Sequence, residues 1–179
     1  MVRDDSPVII RRRREEDLDR CARLAEEVQS VDGYPPYVQK GDLRLFIESS
    51  DALAVWVADT DGDLVGHVAL HARSSEAVMD LASSALDRPR DRFGVVARLF
   101  VSPSARGRGV GRTLLRTAEA HAVGLGLYPM LDVVTRFRSA ITLYEQCGWT
   151  RGGTVTVTLP DGSALDEFVY FGGPAPAMP

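Results

Sequence analysis

Lysine is almost missing from this chain: of 21 basic residues one, Lys40, is a lysine and the others are arginines. Against them stand 25 acidic residues, and the formal net charge of −4 excludes a general attraction to nucleic acid or to an anionic membrane. Cysteine is scarce as well. Cys21 and Cys147 are too few for a disulfide framework, and both fall in stretches of helical apolar spacing, where a buried free thiol is expected. The three scattered histidines do not make a zinc site. No uninterrupted apolar run approaches a membrane span, and the first residues, charged from Arg3 onward, lack the apolar core of a signal peptide. Together these absences predict a cytoplasmic protein with no metal, no membrane association and no nucleic-acid partner.

What is present suits a folded enzyme-sized domain. Hydrophobic residues make up 45% of 179, enough to bury a core without staples. A single domain over residues 1–179 is expected. Val8–Arg12 reads as a first strand. The apolar stripe Leu18, Cys21, Ala22, Leu24, Ala25 and Val28 predicts a helix over Glu15–Gln29. The Arg11–Arg14 run, answered at once by Glu15, Glu16 and Asp17, predicts a solvated strand end. After the proline-stiffened loop Asp32–Tyr37 and a short helix, Asp42–Ser49, two β-patterned stretches, Leu53–Ala58 and Leu64–Ala72, flank the turn signal Thr60-Asp61-Gly62-Asp63.

Further on, Ser75–Leu86 reads as an inserted helix of about 75–87, Gly94–Val101 as a strand and Gly109–His121 as a helix. Met130–Val134 follows as a strand, Ser139–Cys147 as a helix, and Thr154–Leu159 with Leu165–Phe171 as a terminal hairpin before a loose tail, 172–179. This element order predicts an α+β fold with a mixed, mostly antiparallel sheet flanked by helices.

The segment that carries chemistry runs from Val95 to Arg112. A strand feeds a turn with glycines at 107, 109 and 111, and the turn opens a helix. Uncovered backbone N–H groups and the positive end of the helix make this a natural anion site, with Arg106, Arg108 and Arg112 able to add charge. A phosphate or pyrophosphate is the expected ligand. A Walker loop is excluded, because Gly111-Arg112-Thr113 has no lysine. A dinucleotide fingerprint is excluded as well: Arg112 stands where its third glycine belongs, and Ser102–Arg106 separate the strand end from Gly107.

The spacing Arg106-x-x-Gly109-x-Gly111 resembles the central motif of the GNAT acetyltransferase family. Leu99-Phe100-Val101-x-Pro103 is similar to the end of that family's fourth strand, and Ala140-x-x-Leu143-Tyr144-Glu145-x-x-Gly148-Trp149 to its later helix-and-strand motif. The specific motifs cover about 95–112 and 131–149. The resemblance implies a GNAT-like acyl-CoA N-acyltransferase fold with acetyl-CoA as co-substrate. Backbone groups of Leu99, Phe100 and Val101 would then meet the pantetheine arm, and the N–H groups of Arg106, Gly107, Arg108, Gly109, Val110 and Gly111 the pyrophosphate.

The resemblance also implies that Tyr144 protonates the departing thiolate, while the N–H of Phe100 meets the oxyanion. It further implies an acceptor site near Asp32, Tyr34 and Tyr37, with Asp166 and Glu167 as ammonium partners.

Two departures from the family pattern stand out. Val95–Phe100 contains no carboxylate to act as base, and Phe137 replaces an asparagine that contacts the cofactor arm. His67 and His71, four apart on one strand and so on one face, are the expected bases, with Asp132 behind them. The acceptor is expected to be a primary amine of a small molecule or peptide. The competing readings are a non-catalytic acyl-CoA-binding regulatory module and an enzyme that acetylates a protein N-terminus or charged tRNA. The terminal hairpin also leaves a sheet edge on which a second copy could pair.

Overall fold

A computed structural model describes residues 7–159 and 161–173. Most of the expected tail, and Pro160 of the last turn, lie outside the described residues. Seven strands form one mixed sheet in the order β1-β2-β3-β4-β5-β7-β6. They are β1 (Ile9–Arg12), β2 (Ala52–Thr60), β3 (Asp63–His71), β4 (Phe93–Val101), β5 (Tyr128–Val134), β6 (Thr150–Thr158) and β7 (Ala164–Phe171). The helices are α1 (Leu18–Asp32), α2 (Leu43–Glu48), α3 (Glu76–Leu86), α4 (Val110–Gly124) and α5 (Arg138–Gln146). Strands β4 and β5 are parallel, whereas β1–β2, β5–β7 and β6–β7 are antiparallel. Among the described residues no helix is long and apolar enough to cross a membrane.

The chain divides into two compact units. One comprises residues 1–69 with 98–118. Its core gathers Leu18, Cys21, Leu24, Ala25 and Val28 of α1 with Leu43 and Ile47 of α2, Val57 of β2 and Phe100 of β4. The spacing of the α1 residues is the apolar stripe seen in the sequence. That helix runs on to Asp32, where Gly33 (φ 71°) ends it by donating its N–H to the Gln29 carbonyl. Strands β2 and β3 are joined by Asp61 and Gly62, both at positive φ (50° and 90°), as a two-residue hairpin of matching twist demands.

The expected solvated strand end is instead partly an interior ion network. Asp17 is fully buried and accepts from Arg11 (2.6 and 3.0 Å), from Arg20 (2.7 Å) and from the Arg14 N–H (2.8 Å). These partners hold its carboxyl far below the usual range despite burial.

The other unit comprises residues 70–97 with 119–179. Its core packs Val78, Met79 and Ala82 of α3 against Phe93 and Val95 of β4, Met130 of β5, and Val169 and Phe171 of β7. Ser75 caps α3 by accepting the Val78 N–H at 3.4 Å. Strand β6 begins at Thr150, four residues ahead of the expected start, because Gly152 and Gly153 carry the strand through a bulge. A Cβ on Gly152 would lie 2.1 Å from the Phe171 ring, and one on Gly153 2.7 Å from Leu81.

Gly66 of β3 fixes how closely α4 approaches the sheet in the first unit. A Cβ there would fall 2.8 Å from Leu114, 3.2 Å from Ala58 and 3.3 Å from Val110, and a branched side chain has nowhere to go. Gly66→Val is expected to destabilise the fold by about 1–3 kcal/mol. Thermal unfolding should show this as a midpoint several degrees lower, and an unchanged midpoint would refute the close packing.

Candidate active site

In the first unit β4 ends at Val101, and the Ser102 N–H is tied to the Val65 carbonyl at 2.9 Å. A single 3₁₀ turn, Pro103–Ala105, then turns the chain toward α4. Gly107 and Gly109 have φ of 74° and 81°, a region costly for any residue with a Cβ. A Cβ built on either meets nothing within 4 Å, so glycine is required by the backbone, and the surface of the turn is open. Helix α4 begins at Val110, which is buried, and its first turn leaves N–H groups without intrahelical acceptors. Those groups and the helix dipole suit a phosphate, as the sequence predicts.

The guanidinium of Arg106 has another duty. It donates to both carboxylate oxygens of Asp32 (3.1 and 2.5 Å) and to the Val101 carbonyl (3.2 Å). The pair staples the glycine turn to the end of α1. Asp32, expected to face the acceptor, is thus brought to Arg106. Arg108 and Arg112 are exposed beside the turn.

Upstream, β4 is not a regular strand. Arg98 stands at φ 53° in the middle of it, where left-handed backbone is uncommon for a bulky side chain. Its carbonyl lies 2.9 Å from Nδ1 of His67, which must carry the proton of that bond because a carbonyl only accepts. The His67 ring is wholly buried and stacks on Phe100 with centroids 5.0 Å apart. The Arg98 guanidinium lies 4.6 Å from the centre of the Phe46 ring, and burial pushes its pKa down. Tyr34 completes the group, 6.4 Å from Phe46 and 6.3 Å from Phe100, whereas Tyr37 is more than half exposed. Leu99 and Val101 are half-buried.

The second unit holds the candidates Tyr144, His71, Asp132, Asp166 and Glu167. Tyr144 of α5 is buried, with its ring near Trp149 (6.4 Å) and Tyr170 (6.1 Å). Burial, then the charge of Asp132, pushes the phenol above its ordinary value, so it keeps its proton through the physiological range. His71, at the end of β3, is also buried. Asp132 of β5 is partly buried and accepts from the Ser74 hydroxyl at 2.7 Å. Burial raises its pKa, and the Ser74 bond offsets part of that. Glu167 of β7 is buried, and its carboxyl is pushed up to about 7 by burial and then by Asp132. Its neighbour Asp166 faces the other way and accepts from the Thr156 hydroxyl at 2.7 Å.

Period-two alternation carried the signal that separates those two acids. Leu165, Glu167, Val169 and Phe171 share one face of β7, so Glu167 stands at an apolar phase, as Asp132 does between Met130 and Val134.

The chain matches the family model described as Acetyltransferase (GNAT) family over residues 19–149. It is 30% identical over 118 residues to an uncharacterised N-acetyltransferase of Archaeoglobus fulgidus, covering 64% of this chain and 73% of that protein. In three dimensions it is similar to an N-acetyltransferase from Staphylococcus aureus Mu50, with a TM-score of 0.68 at 18% identity over 93% of this chain and 98% of that one. It is also similar to Arabidopsis thaliana NAA60 in complex with acetyl-CoA, with a TM-score of 0.66 at 20% identity over 92% of this chain and 97% of that one.

Glu167 makes stability depend on pH in a defined direction. Its carboxyl moves from an ordinary 4.5 to about 7 on folding, so between those values the folded state binds more protons than the unfolded chain. Stability therefore falls as pH rises through this window. Glu167→Gln removes the effect and should be the more stable protein at pH 8, by up to about 3 kcal/mol. Thermal unfolding from pH 4 to 8 checks this: the variant's advantage should shrink toward zero in acid, and one that persists at pH 4 contradicts the assignment.

Proposed function

The chain belongs to the GNAT acetyltransferase family, and we propose that it transfers the acetyl group of acetyl-CoA to a primary amine of a small molecule or peptide by direct attack. The observation that carries this reading is the glycine turn at the start of α4. Gly107 and Gly109 hold left-handed backbone, the first-turn N–H groups have no helical acceptors, and the Arg106–Asp32 pair fixes the turn to α1. The N–H groups of Arg106 to Gly111 would hold the pyrophosphate, with Arg108 and Arg112 beside them. The backbone of Leu99, Phe100 and Val101 would align the pantetheine arm.

Acetyl-CoA supplies a thioester carbonyl activated toward amines. The protein's own part is to hold that group against the amine and to manage two protons. The Phe100 N–H is assigned to the carbonyl oxygen as it gains charge. The left-handed kink at Arg98, pinned by His67, sets the direction of that N–H. His67 therefore acts in this reading by positioning β4, because its Nδ1 proton is committed to the Arg98 carbonyl. Tyr144 is the acid. Its raised pKa keeps the phenol neutral until negative charge develops on sulfur beside it.

Thermal unfolding with acetyl-CoA, CoA, NAD and ATP at equal concentration tests the cofactor assignment. A ligand at about 100 times its Kd adds roughly 2.7 kcal/mol, a shift of several degrees for a chain of this size. Acetyl-CoA and CoA should raise the midpoint while NAD and ATP leave it in place; equal shifts from all four, or none from CoA, would remove the reading. For the acid, thiol release from acetyl-CoA is followed with a panel of primary amines. Tyr144→Phe should lower kcat about 10²–10⁴-fold with the Kd for acetyl-CoA unchanged, and a variant with undiminished kcat would exclude Tyr144 from proton transfer.

A further inference from the structure

Two carboxylates in the second unit, Glu167 buried and Asp132 half-buried, have no cation paired with them among the described residues. Asp132 opposes Val169 and Glu167 opposes Val134 across the antiparallel β5–β7 ladder, so the two acids occupy diagonal positions on one face. Helix α3 covers that face. Val78, Met79 and Ala82 pack with Met130, Val169 and Phe171, and Leu81 lies over Gly153, so the surface α3 turns toward the acids is apolar.

Ser74, just ahead of α3, binds Asp132. Glu167, 6% exposed, has no hydrogen-bond or ion-pair partner among the described residues. Three arginines of neighbouring elements are engaged with other groups, among them Arg88, which follows α3 and lies 5.1 Å from the centre of the Tyr128 ring. Arg151 of β6 lies over Phe168 and Tyr170 on the opposite face and pairs with Glu145. Arg90 pairs with Glu76 and Asp80 on the outer side of α3. Tyr128 of β5 also packs in this cluster, its phenol pushed up by burial, and His71 is buried as well. Tyr144, which packs on Tyr170 of the opposite face, is shifted up by burial and then by the charge of Asp132, as Glu167 is. A carboxylate so placed is stable only as the acid or beside a cation that arrives.

We propose that Glu167 takes the proton from the acceptor, which enters as an unhindered alkylammonium ion and is met by Glu167 together with the Asp132–Ser74 pair. The inference rests on the acetyl-transfer reading above. Val134 and Val155 stand opposite Glu167 in the two ladders, and Val169 follows it on the same face. Apart from Asp132, its neighbours in register are therefore apolar and favour plain carbon next to the nitrogen over a second charge. One ammonium proton passes to the Glu167 carboxylate and leaves a neutral amine. The amine lone pair forms the N–C bond to the thioester carbon as the C–S bond breaks. The departing sulfur takes the proton of Tyr144, and the second nitrogen proton restores it. Glu167 then releases its proton to water, so one proton is liberated per amide formed. A carboxyl that titrates near neutrality suits this exchange better than an ordinary one, since it can both accept and release at working pH.

The test uses the whole chain with 13C-carboxyl glutamate, the Glu167 signal being identified by its loss in Glu167→Gln. Its titration midpoint is expected near 7 in sodium chloride. In butylammonium chloride of equal ionic strength it should fall by a unit or more, because a bound cation favours the carboxylate. In parallel, kcat/KM for butylamine-dependent thiol release should drop at least a hundredfold in Glu167→Gln, with the acid limb of its pH profile abolished. A midpoint in the ordinary carboxylate range, or one that butylammonium leaves unmoved, overturns the proposal. So does an acid limb that survives in Glu167→Gln and disappears instead in His71→Asn or Asp166→Asn. If wild-type protein fails to bind acetyl-CoA, the acetyl-transfer reading falls while the ammonium response of Glu167 still reports on the cation site.

Discussion

Arg98 holds a left-handed φ of 53° in the middle of β4, and a bulky residue takes that conformation only where its surroundings compel it. Here the compulsion comes from both ends of the residue. Its carbonyl is held by Nδ1 of His67, and its guanidinium is drawn over Phe46 in a site that burial makes unfavourable for a charge. Such a break in a strand re-aims every N–H and carbonyl that follows it. Leu99, Phe100 and Val101 come directly after it, and the glycine turn after them. The β4–β5 ladder pairs Phe93, Gly94 and Val95 with Tyr128, Pro129 and Met130, all upstream of the break.

The two units treat buried charge in opposite ways. Asp17 is sealed from solvent, yet Arg11, Arg20 and a backbone N–H surround it, and its pKa falls. Such a carboxylate is structural: it ties β1 to the start of α1 and remains ionised at any working pH. Asp132 and Glu167 meet no such company, and both pKa values rise. Burying like charges without a counter-ion costs stability, and it leaves a group poised to change protonation near neutral pH. The same physics of desolvation thus gives a fixed anchor in one unit and a responsive carboxyl in the other. The partners decide which.

Family membership and this charge arrangement answer different questions. The match over residues 19–149 and the likeness to N-acetyltransferase structures concern the scaffold and the glycine turn. They do not say what α3 does, although its apolar side packs on the face that carries the carboxylates and Ser74, just ahead of it, donates to Asp132. A shared scaffold carries many substrates, so the family alone does not name the acceptor.

Much of this protein was legible in its sequence wherever the governing interactions are local. Helix α1 follows from an apolar stripe three and four residues apart, the β2–β3 hairpin from Asp61-Gly62, and the turn ahead of α4 from glycines that the backbone conformation itself demands. The strand that begins at Thr150 rather than Thr154 was hidden, because Gly152 and Gly153 are there for the Phe171 and Leu81 side chains. The partner of Arg106 was hidden too: Asp32 lies 74 residues earlier, and only packing brings the two together.

The acids show the division most sharply. Alternation alone puts Glu167 on the apolar face of β7 and Asp166 on the other. Whether that burial is compensated depends on Asp132, Ser74 and the α3 side chains, which belong to separate elements. Local conformational preference therefore fixed the elements and the glycine turn. Tertiary structure decided each ionisable group's charge state, because desolvation and Coulomb interaction depend on distance in space, which chain spacing does not determine.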